Sequence, residues 1–420
     1  MKLKFILVVS AAVFSVTTMS ALAAEKVKVE YWSNSLSPKF DGAMKELTTK
    51  FNASQNEVEA VWVDVGWDAF QQKVITAVAS GNVPGLVNLP KPWMDQLAQS
   101  KMIEPITKQV ASFKNVYTEG ALKDATYAGD KQIYGMPWYQ VTGVLFYNKE
   151  LLAKAGVKEA PATFSQLLQV AKQVKEKTGV AGFAPKVNEE FSAWFLYEGL
   201  DVVKDNKAVF NSSAHIKLIE QFKDAYASGA FPKDVFKMQF ENRIAAYGAQ
   251  KIAMFTDGAH ALKRTKTDAP KVYNGTGVAG FPLAGGATPF GGFLFMWSVP
   301  KGAKNVDAAI KLGKFLTNDE SQLVFAKASS TFPSTNKSLD DAYFQSGAQS
   351  TDPVEKGTAV AATHIKISRT LSVSGLPDEA GMNKALDAAV LEAVTGRKPV
   401  KAALDEAVNF WNKKLATVKK

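Results

Sequence analysis

The chain of 420 residues contains no cysteine and only three histidines. Without cysteine it forms no disulfide, so a large apolar core has to stabilise the fold. There is also no cysteine near the N-terminus to carry a lipid, which argues against a lipoprotein. The motifs His-Glu-x-x-His and Gly-x-Ser-x-Gly and the usual metal-ligand spacings are absent as well. We therefore predict no catalytic residue, no metal site and no cofactor.

Long apolar runs are absent beyond the N-terminus, so the mature chain is expected to have no transmembrane helix. At the start, Lys2 and Lys4 precede an apolar stretch over residues 5–16, and the Ala-Leu-Ala sequence of residues 21–23 forms a cleavage site. This pattern predicts a signal peptide over residues 1–23 and export to the periplasm. A membrane anchor is the alternative, but the apolar stretch is shorter than the roughly 20 residues that span a bilayer.

The chain is basic, with a formal net charge of +10. Lysine and arginine are spread along it with acidic residues among them, and residues 172–177, for example, are typical of a solvated helix face. Because the charges are mixed and export keeps the protein away from nucleic acid, we expect no nucleic-acid partner. The charge leaves an anionic small ligand open.

Strand and helix patterns alternate along the chain. Residues 27–31, 58–65 and 86–89 have the patterns of β-strands, and helical patterns follow the first two. Such alternation predicts a mainly parallel α/β sheet, and the length favours two domains. Ligands of these sheets bind beyond the carboxyl ends of the strands, so the residues that follow each strand are the first candidates for a site.

Residues 137–179 are the most informative stretch. Residues 141–147 are rich in β-branched and aromatic side chains and predict a buried strand. Thr163 and Gln166 have the spacing of a capping box and predict the start of a helix. Gly179 is placed to end that helix.

Residues 275–280 match the pattern Gly-x-Gly-x-x-Gly of dinucleotide-binding turns. Such a turn has to open a helix, so that backbone N–H groups meet the pyrophosphate. Phe281 and Pro282 follow instead, and no helical pattern begins there. We therefore interpret the segment as a loop-to-strand crossing between domains.

Several motifs carry a resemblance to a known family. Residues 146–152 (Phe-Tyr-Asn-Lys-Glu-Leu-Leu), 155–156 (Ala-Gly) and 163–164 (Thr-Phe) resemble the extracellular solute-binding proteins of carbohydrate ABC transporters. Members of this kind include the maltose-binding and glycerol-phosphate-binding proteins. The strand and glycine turn at 251–258 and the glycine-rich strand at 289–300 extend the resemblance over most of the mature chain.

The resemblance implies the periplasmic-binding-protein type II fold, with two α/β lobes, a hinge and a central ligand cleft. It implies an N-terminal lobe of residues 24–136 plus 278–318 and a C-terminal lobe of residues 137–277 plus 319–420. These boundaries are expectations for the structure.

Candidate ligand-binding residues lie near the predicted strand ends or at positions that the resemblance implies. Indole rings pack against the C–H faces of sugars, and amides and carboxylates hydrogen-bond sugar hydroxyls. The residues expected to bind ligand are Trp32, Asn34, Trp67, Asn88, Lys91, Trp93, Trp138, Gln140, Thr142, Trp194, Glu198, Asp257, Gly291, Gly292 and Arg369. The alternative for each tryptophan is a core position, and for each polar residue a cap or a surface position. Arg369 is the candidate for an anionic group on the ligand.

Together with the predicted signal peptide, the resemblance implies a monomeric periplasmic protein that binds a mono- or oligosaccharide and delivers it to an ABC-transporter permease in the inner membrane, without catalysis. One alternative keeps the fold and binds glycerol phosphate or another anionic polyol. The other is a secreted carbohydrate-active hydrolase, which needs two carboxylates about 5–9 Å apart across the cleft.

Overall fold

The computed structural model describes residues 25–187, 191–282, 294–363, 365, 370, 373 and 376–417. Within these ranges the strands form two main sheets, and each sheet packs against its own hydrophobic core. The predicted α/β fold with two lobes is confirmed. The expectation of a mainly parallel sheet is wrong, because most strand pairs in the described residues are antiparallel. No helix in this part of the chain is long and apolar enough to cross a membrane. The predicted signal peptide, Gly291, Gly292 and Arg369 lie outside the described residues.

Strands and helices are numbered along the chain. The strands are β1 (Val27–Asn34), β2 (Val58–Val65), β3 (Leu86–Pro90), β4 (Met136–Gln140), β5 (Val144–Asn148), β6 (Ala181–Phe183), β7 (Val203–Lys204), β8 (Lys207–Ala208), β9 (Ile252–Asp257), β10 (Thr276–Ala279), β11 (Leu294–Ser298) and β12 (Phe332–Pro333). The α-helices are α1 (Asp41–Ser54), α2 (Trp67–Ser80), α3 (Lys91–Gln99), α4 (Thr107–Val110), α5 (Glu119–Asp124), α6 (Lys149–Lys154), α7 (Phe164–Thr178), α8 (Ser192–Tyr197), α9 (Ser213–Ala227), α10 (Phe240–Gly248), α11 (Leu262–Asp268), α12 (Pro270–Asn274), α13 (Val306–Leu316), α14 (Asp319–Ser329), α15 (Asn336–Leu339), α16 (Tyr343–Ser346), α17 (Pro353–Ala362), α18 (Glu379–Val394) and α19 (Val400–Leu415).

The N-terminal lobe contains a six-stranded sheet in the order β12, β4, β11, β3, β1, β2. β1 pairs in parallel with both β2 and β3, so these three strands end at the same edge. β11 is antiparallel to β3 and β4 and lies between them. A strand that follows the C-terminal lobe in the chain therefore lies inside the N-terminal sheet.

The C-terminal lobe contains a four-stranded sheet in the order β10, β5, β9, β6. β5 is antiparallel to both of its neighbours, and β6 is parallel to β9. The helices α7, α9, α18 and α19 contribute most of the larger core on this sheet. The carboxyl end of β9 is the part of this sheet that contributes residues to the candidate site.

The lobe boundaries differ from the predicted ones by a few residues. β4 pairs with β11 and β12 in the N-terminal sheet, so the chain first crosses at residues 141–143 rather than after residue 136. β10 pairs with β5, so the second crossing follows Ala279 rather than residue 277. α14 lies across both lobes, because Phe325 belongs to the N-terminal core and Ala326 to a cluster on the C-terminal sheet. The lobe to which a strand belongs is decided by the strands it pairs with, and local sequence patterns do not specify that pairing.

The local prediction for the capping box is confirmed. The Thr163 hydroxyl accepts a hydrogen bond from the Gln166 N–H, and the Gln166 side-chain oxygen accepts one from the Thr163 N–H, both at 3.2 Å. α7 ends at Gly179, which has a φ of 74° that glycine adopts without strain. The predicted strand at 141–147 is β5, which begins three residues later because 141–143 form the crossing.

The glycine motif at 275–280 is not a nucleotide turn. Residues 276–279 form β10, which pairs with β5 over its whole length. No helix begins at this segment, so no row of free N–H groups is available for a phosphate. The interpretation as a strand next to a crossing is confirmed.

Two glycines offer a test of the packing between β6 and α7. A methyl group on Gly182 would lie 2.2 Å from the backbone oxygen of Ala171, whereas one on Gly42, in α1, meets no atom within 4 Å. We expect Gly182→Ala to lower the free energy of unfolding by about 1–3 kcal/mol, because a helix backbone has to move. Gly42→Ala should raise it by about 0.4–1 kcal/mol. Urea unfolding followed by circular dichroism measures both, and equal effects would contradict the close contact.

Candidate functional site

The two lobes meet where several of their strands end. On the N-terminal side this edge carries the loops after β1, β2 and β3, and on the C-terminal side it carries the turn after β9. A methyl group on Gly258, in that turn, would lie 3.0 Å from Val141 in the first crossing. Burial lowers the pKa of His260, in the same turn, and the nearby charge of Lys39, after β1, adds to this lowering. The space between these loops is the candidate cleft.

An exposed aromatic surface lies on the N-terminal side. Trp67, the first residue of α2, is 43% exposed. Its ring centroid lies 4.4 Å from that of Trp93 and 6.3 Å from that of Phe295. Trp93, which is half-buried, stacks in turn on the buried Phe70 at 6.1 Å. These four residues, the aromatic platform, hold an exposed indole on a support of packed rings.

Asp64 shapes the loop beside the aromatic platform. Its carboxylate accepts hydrogen bonds from the backbone N–H groups of Leu36 and Ser37, both at 3.1 Å. The backbone N–H of Trp67 donates a hydrogen bond to the Ser35 hydroxyl at 2.8 Å. This bond joins the segments that follow β1 and β2. Asp64 was not among the predicted site residues. The sequence signal for it is a carboxylate among the apolar residues near the end of β2.

Two of the tryptophans predicted to bind ligand are instead central core residues. Trp138 is fully buried, with its ring centroid 4.8 Å from Trp297 and 4.3 Å from Phe325. Trp194 is 3% exposed, and its Nε1–H donates to the carbonyl oxygen of Lys186. Both predictions are corrected, because rings enclosed by other side chains offer no surface to a ligand in this structure.

Trp32 is a third correction. It is 7% exposed, and its Nε1–H donates to the Glu30 carboxylate. The ammonium group of Lys73, in α2, lies 4.3 Å from the ring centroid. Since side chains alternate along β1, the ring lies between the sheet and this helix rather than in the cleft.

Buried amides at three predicted positions connect neighbouring strands. Asn34 Nδ2 donates to the Asn88 carbonyl oxygen at 2.8 Å, and Asn88 Nδ2 donates to the Met296 carbonyl oxygen at 3.2 Å. Gln140 Nε2 donates to the Pro333 carbonyl oxygen at 3.3 Å. These contacts hold β1, β3 and β11 and the pair β4–β12 together. The amides therefore contribute to the sheet in this structure, and their role in ligand binding stays a prediction.

Lys91 and Thr142 are buried as well. Lys91 Nζ lies 2.7 Å from the carboxylate of Asp95, one turn later in α3, and the two side chains are 9% and 2% exposed. Burial raises the pKa of Asp95 and the charge of Lys91 opposes this effect. Thr142, in the first crossing, is 1% exposed. The Lys91–Asp95 pair lies inside the N-terminal lobe and stabilises α3.

Glu198 lies beside the segments that connect the lobes. It follows α8 and is half-buried, and burial raises the pKa of its carboxyl group. The ring centroid of its neighbour Tyr197 lies 4.9 Å from that of Phe281, just after β10. A methyl group on Gly143, in the first crossing, would lie 3.0 Å from the Phe281 ring. Glu198 thus keeps surface at the base of the candidate cleft.

Asp257 ends β9 between two basic side chains. Its Oδ1 accepts a hydrogen bond from the Gly258 N–H at 2.8 Å and lies 3.7 Å from His260 Nε2. Its Oδ2 lies 3.5 Å from Nη2 of Arg243, whose side chain has no exposed surface. The His260 ring stacks on Phe240 at 5.8 Å. We call Arg243, Asp257 and His260 the β9 cluster.

Arg243 was not among the predicted site residues, although the sequence carries a signal for it. It lies on the buried face of α10, one turn before Tyr247, at a position where an apolar residue is typical. A charged residue on an apolar helix face is the pattern of an internal ion pair. Within the described ranges, no cluster of three or more histidine, aspartate or glutamate residues has the arrangement of a metal site.

The chain shares its sequence pattern with known proteins. A family model described as bacterial extracellular solute-binding protein matches residues 46–353. The diacetylchitobiose binding protein DasA of Streptomyces coelicolor is 27% identical over 278 residues, 64% of this chain and 64% of that protein. That alignment spans just under two thirds of the relative. The maltooligosaccharide ABC transporter solute-binding lipoprotein of Streptococcus pneumoniae is 25% identical over 355 residues, 79% of this chain and 76% of that protein.

A solved structure shares the fold. The sugar-binding protein MalE of Xanthomonas citri superposes with a TM-score of 0.77, covering 93% of this chain and 98% of that chain. The identity of the two sequences is 21%, so this likeness concerns the fold.

The Lys91–Asp95 pair can be separated from ligand binding by a double-mutant cycle. Lys91→Met leaves a buried carboxylate without its partner, so we expect it to lower the free energy of unfolding by about 3–5 kcal/mol. Lys91→Met/Asp95→Leu removes both charges and should recover most of this loss. Urea unfolding of the single and double variants measures the difference. A Lys91→Met variant with unchanged stability but lost ligand binding would return Lys91 to the site.

Proposed function

The chain belongs to the bacterial extracellular solute-binding proteins, and from this premise we propose that it binds a mono- or oligosaccharide in the cleft between its lobes and delivers it to an ABC-transporter permease. The observation that carries the proposal is the aromatic platform. An indole that is 43% exposed, packed against other aromatic rings and located at the edge of an α/β sheet where ligands bind offers a stacking surface to a ligand.

The aromatic platform suits the chemistry of a sugar. The C–H groups of a pyranose form an apolar face that packs on an indole ring, while the hydroxyls stay at the rim. Trp67 packs on Trp93, which in turn stacks on Phe70, so little side-chain entropy is lost when a ligand stacks on Trp67. On the other side of the cleft, Asp257 and Glu198 supply carboxylate oxygens that accept hydrogen bonds from hydroxyls.

The arrangement of the lobes supports a role in transport. A ligand that contacts both walls binds the closed state more tightly than the open one, and only such a difference shifts the equilibrium between them. We propose that the closed monomer docks on a permease in the inner membrane. This role needs export to the periplasm, which the predicted signal peptide over residues 1–23 would direct. It involves no nucleic acid, cofactor or catalytic step.

The first experiment is a thermal-shift screen of the mature protein with mono-, di- and oligosaccharides. A ligand at a hundred times its Kd should add about 2.7 kcal/mol to the stability of the folded state and raise Tm. Recovery of the ligand unchanged by mass spectrometry supports binding. Conversion of the ligand into products would instead assign the protein to the hydrolases.

Trp67→Ala tests the aromatic platform directly. Removal of the stacking surface should weaken the affinity for the saccharide by about tenfold or more, as truncation of a central aromatic contact does. Phe410→Ala is a matched control, because Phe410 is a similarly exposed aromatic residue, at 38%, on α19 of the other lobe. Isothermal titration calorimetry measures both. Equal affinities of Trp67→Ala and the unmodified protein would remove the platform from the site.

A further inference from the structure

Arg243 is a buried cation with unused hydrogen-bond donors. None of its surface is exposed, and its Nε and Nη1 atoms are buried without a hydrogen-bond partner among the residues that the structure describes. Its contact with Asp257, at 3.5 Å, is at the outer limit of a hydrogen bond. Arginine stays charged under all ordinary conditions, so it cannot avoid the cost of burial by losing a proton.

Asp257 compensates only part of this charge. One of its oxygens accepts the Gly258 N–H and faces His260, and the other is the one near Arg243. His260 Nδ1 is a further buried nitrogen with no partner in the described part of the chain. The β9 cluster thus holds three nitrogen atoms that lack partners, and an additional group with acceptor oxygens would satisfy those of Arg243.

The surroundings of the β9 cluster are positive. Burial lowers the pKa of His260, Asp257 opposes this, and the charges of Lys186, Lys263 and Lys39 lower the pKa further. Lys186 and Lys263 come from the C-terminal lobe, whereas Lys39 belongs to the loop after β1. Within the described residues, Lys39, Lys263 and Arg243 are three cations near the carboxylate of Asp257. Such an excess attracts an anion, and the attraction is strong where water is excluded.

Two members of the β9 cluster keep exposed surface. The side chains of Asp257 and His260 are 12% and 31% exposed. Lys39 is exposed and belongs to the opposite lobe, so a group bound between them would contact both walls. A contact of this kind favours the closed state.

We propose that the ligand carries an oxyanion, a carboxylate or phosphate group on a sugar, and that the β9 cluster together with Lys39 forms the subsite that receives it. This inference rests on the proposed function, because it names the class of ligand for the same cleft. Arg243 offers the N–H groups of its Nε and Nη1 atoms, which donate hydrogen bonds to the oxygens of a carboxylate or a phosphate. The aromatic platform holds the sugar ring on the opposite wall.

The test compares matched neutral and acidic ligands by calorimetry. Glucose is compared with glucuronate and with glucose 6-phosphate, and neutral oligosaccharides with oligogalacturonates. We expect acidic ligands to bind at least tenfold more tightly than their neutral counterparts, with an affinity that falls as salt is added. The glucuronate and glucose 6-phosphate arms decide between carboxylate and phosphate as the source of the charge.

Variants separate a ligand contact from a structural ion pair. Arg243→Lys keeps the charge and loses the guanidinium N–H groups, so it should weaken the binding of acidic ligands by about tenfold or more and weaken the binding of neutral ligands clearly less. Lys39→Gln alters an exposed residue and tests the subsite even if Arg243→Lys folds poorly. Lys39→Gln should weaken the affinity for acidic ligands about threefold to tenfold and make that affinity less dependent on salt concentration. Lys45→Gln, at an exposed lysine of α1, is the control that should change nothing.

The outcomes are distinct. Tighter binding of neutral sugars than of acidic ones, or equal effects of Lys39→Gln and Lys45→Gln, would overturn the subsite and leave the proposed function standing. Loss of stability in Arg243→Lys with unchanged affinities would reduce Arg243 to a structural partner of Asp257. If neither neutral nor acidic saccharides bind, the proposed function itself fails.

Discussion

The pairing of β11 between β3 and β4 is the constraint on which the remaining structure depends. β11 follows the strands of the C-terminal lobe in the chain, yet it occupies an inner position of the N-terminal sheet. The N-terminal lobe is therefore incomplete until the chain has passed through the other lobe and returned. The buried hydrogen bond from Asn88 to the Met296 carbonyl joins residues 208 positions apart. Contacts between residues so far apart in the chain are expected to slow the folding of the N-terminal lobe.

This topology places the connecting segments and the cleft together. The chain crosses at 141–143, directly after β4, and again after β10, so both crossings lie next to the carboxyl end of β9. The aromatic core around Trp138, Trp297 and Phe325 supports the N-terminal side of this junction. α14 carries Phe325 and contributes side chains to the cores of both lobes.

The two walls of the cleft differ in chemistry. The N-terminal wall offers the aromatic platform and a loop shaped by Asp64, whereas the C-terminal wall offers the charged β9 cluster and Glu198. An apolar face on one side and charge on the other suit an amphipathic ligand such as a sugar with an acidic group. Under the proposed function neither wall satisfies such a ligand alone, so its binding energy would depend on the closed arrangement.

The sequence by itself determined the features that depend on near neighbours. The capping box of Thr163 and Gln166, the end of α7 at Gly179 and the rejection of a nucleotide turn at 275–280 follow from local hydrogen bonds and backbone conformation. The family motifs add the two-lobed fold. Only the tertiary structure decided which tryptophan is exposed, because the exposure of Trp67 and the burial of Trp138 depend on partners far along the chain. For the same reason the role of Arg243 could not be predicted. Its ion pair with Asp257 forms only because the fold brings the end of β9 next to α10.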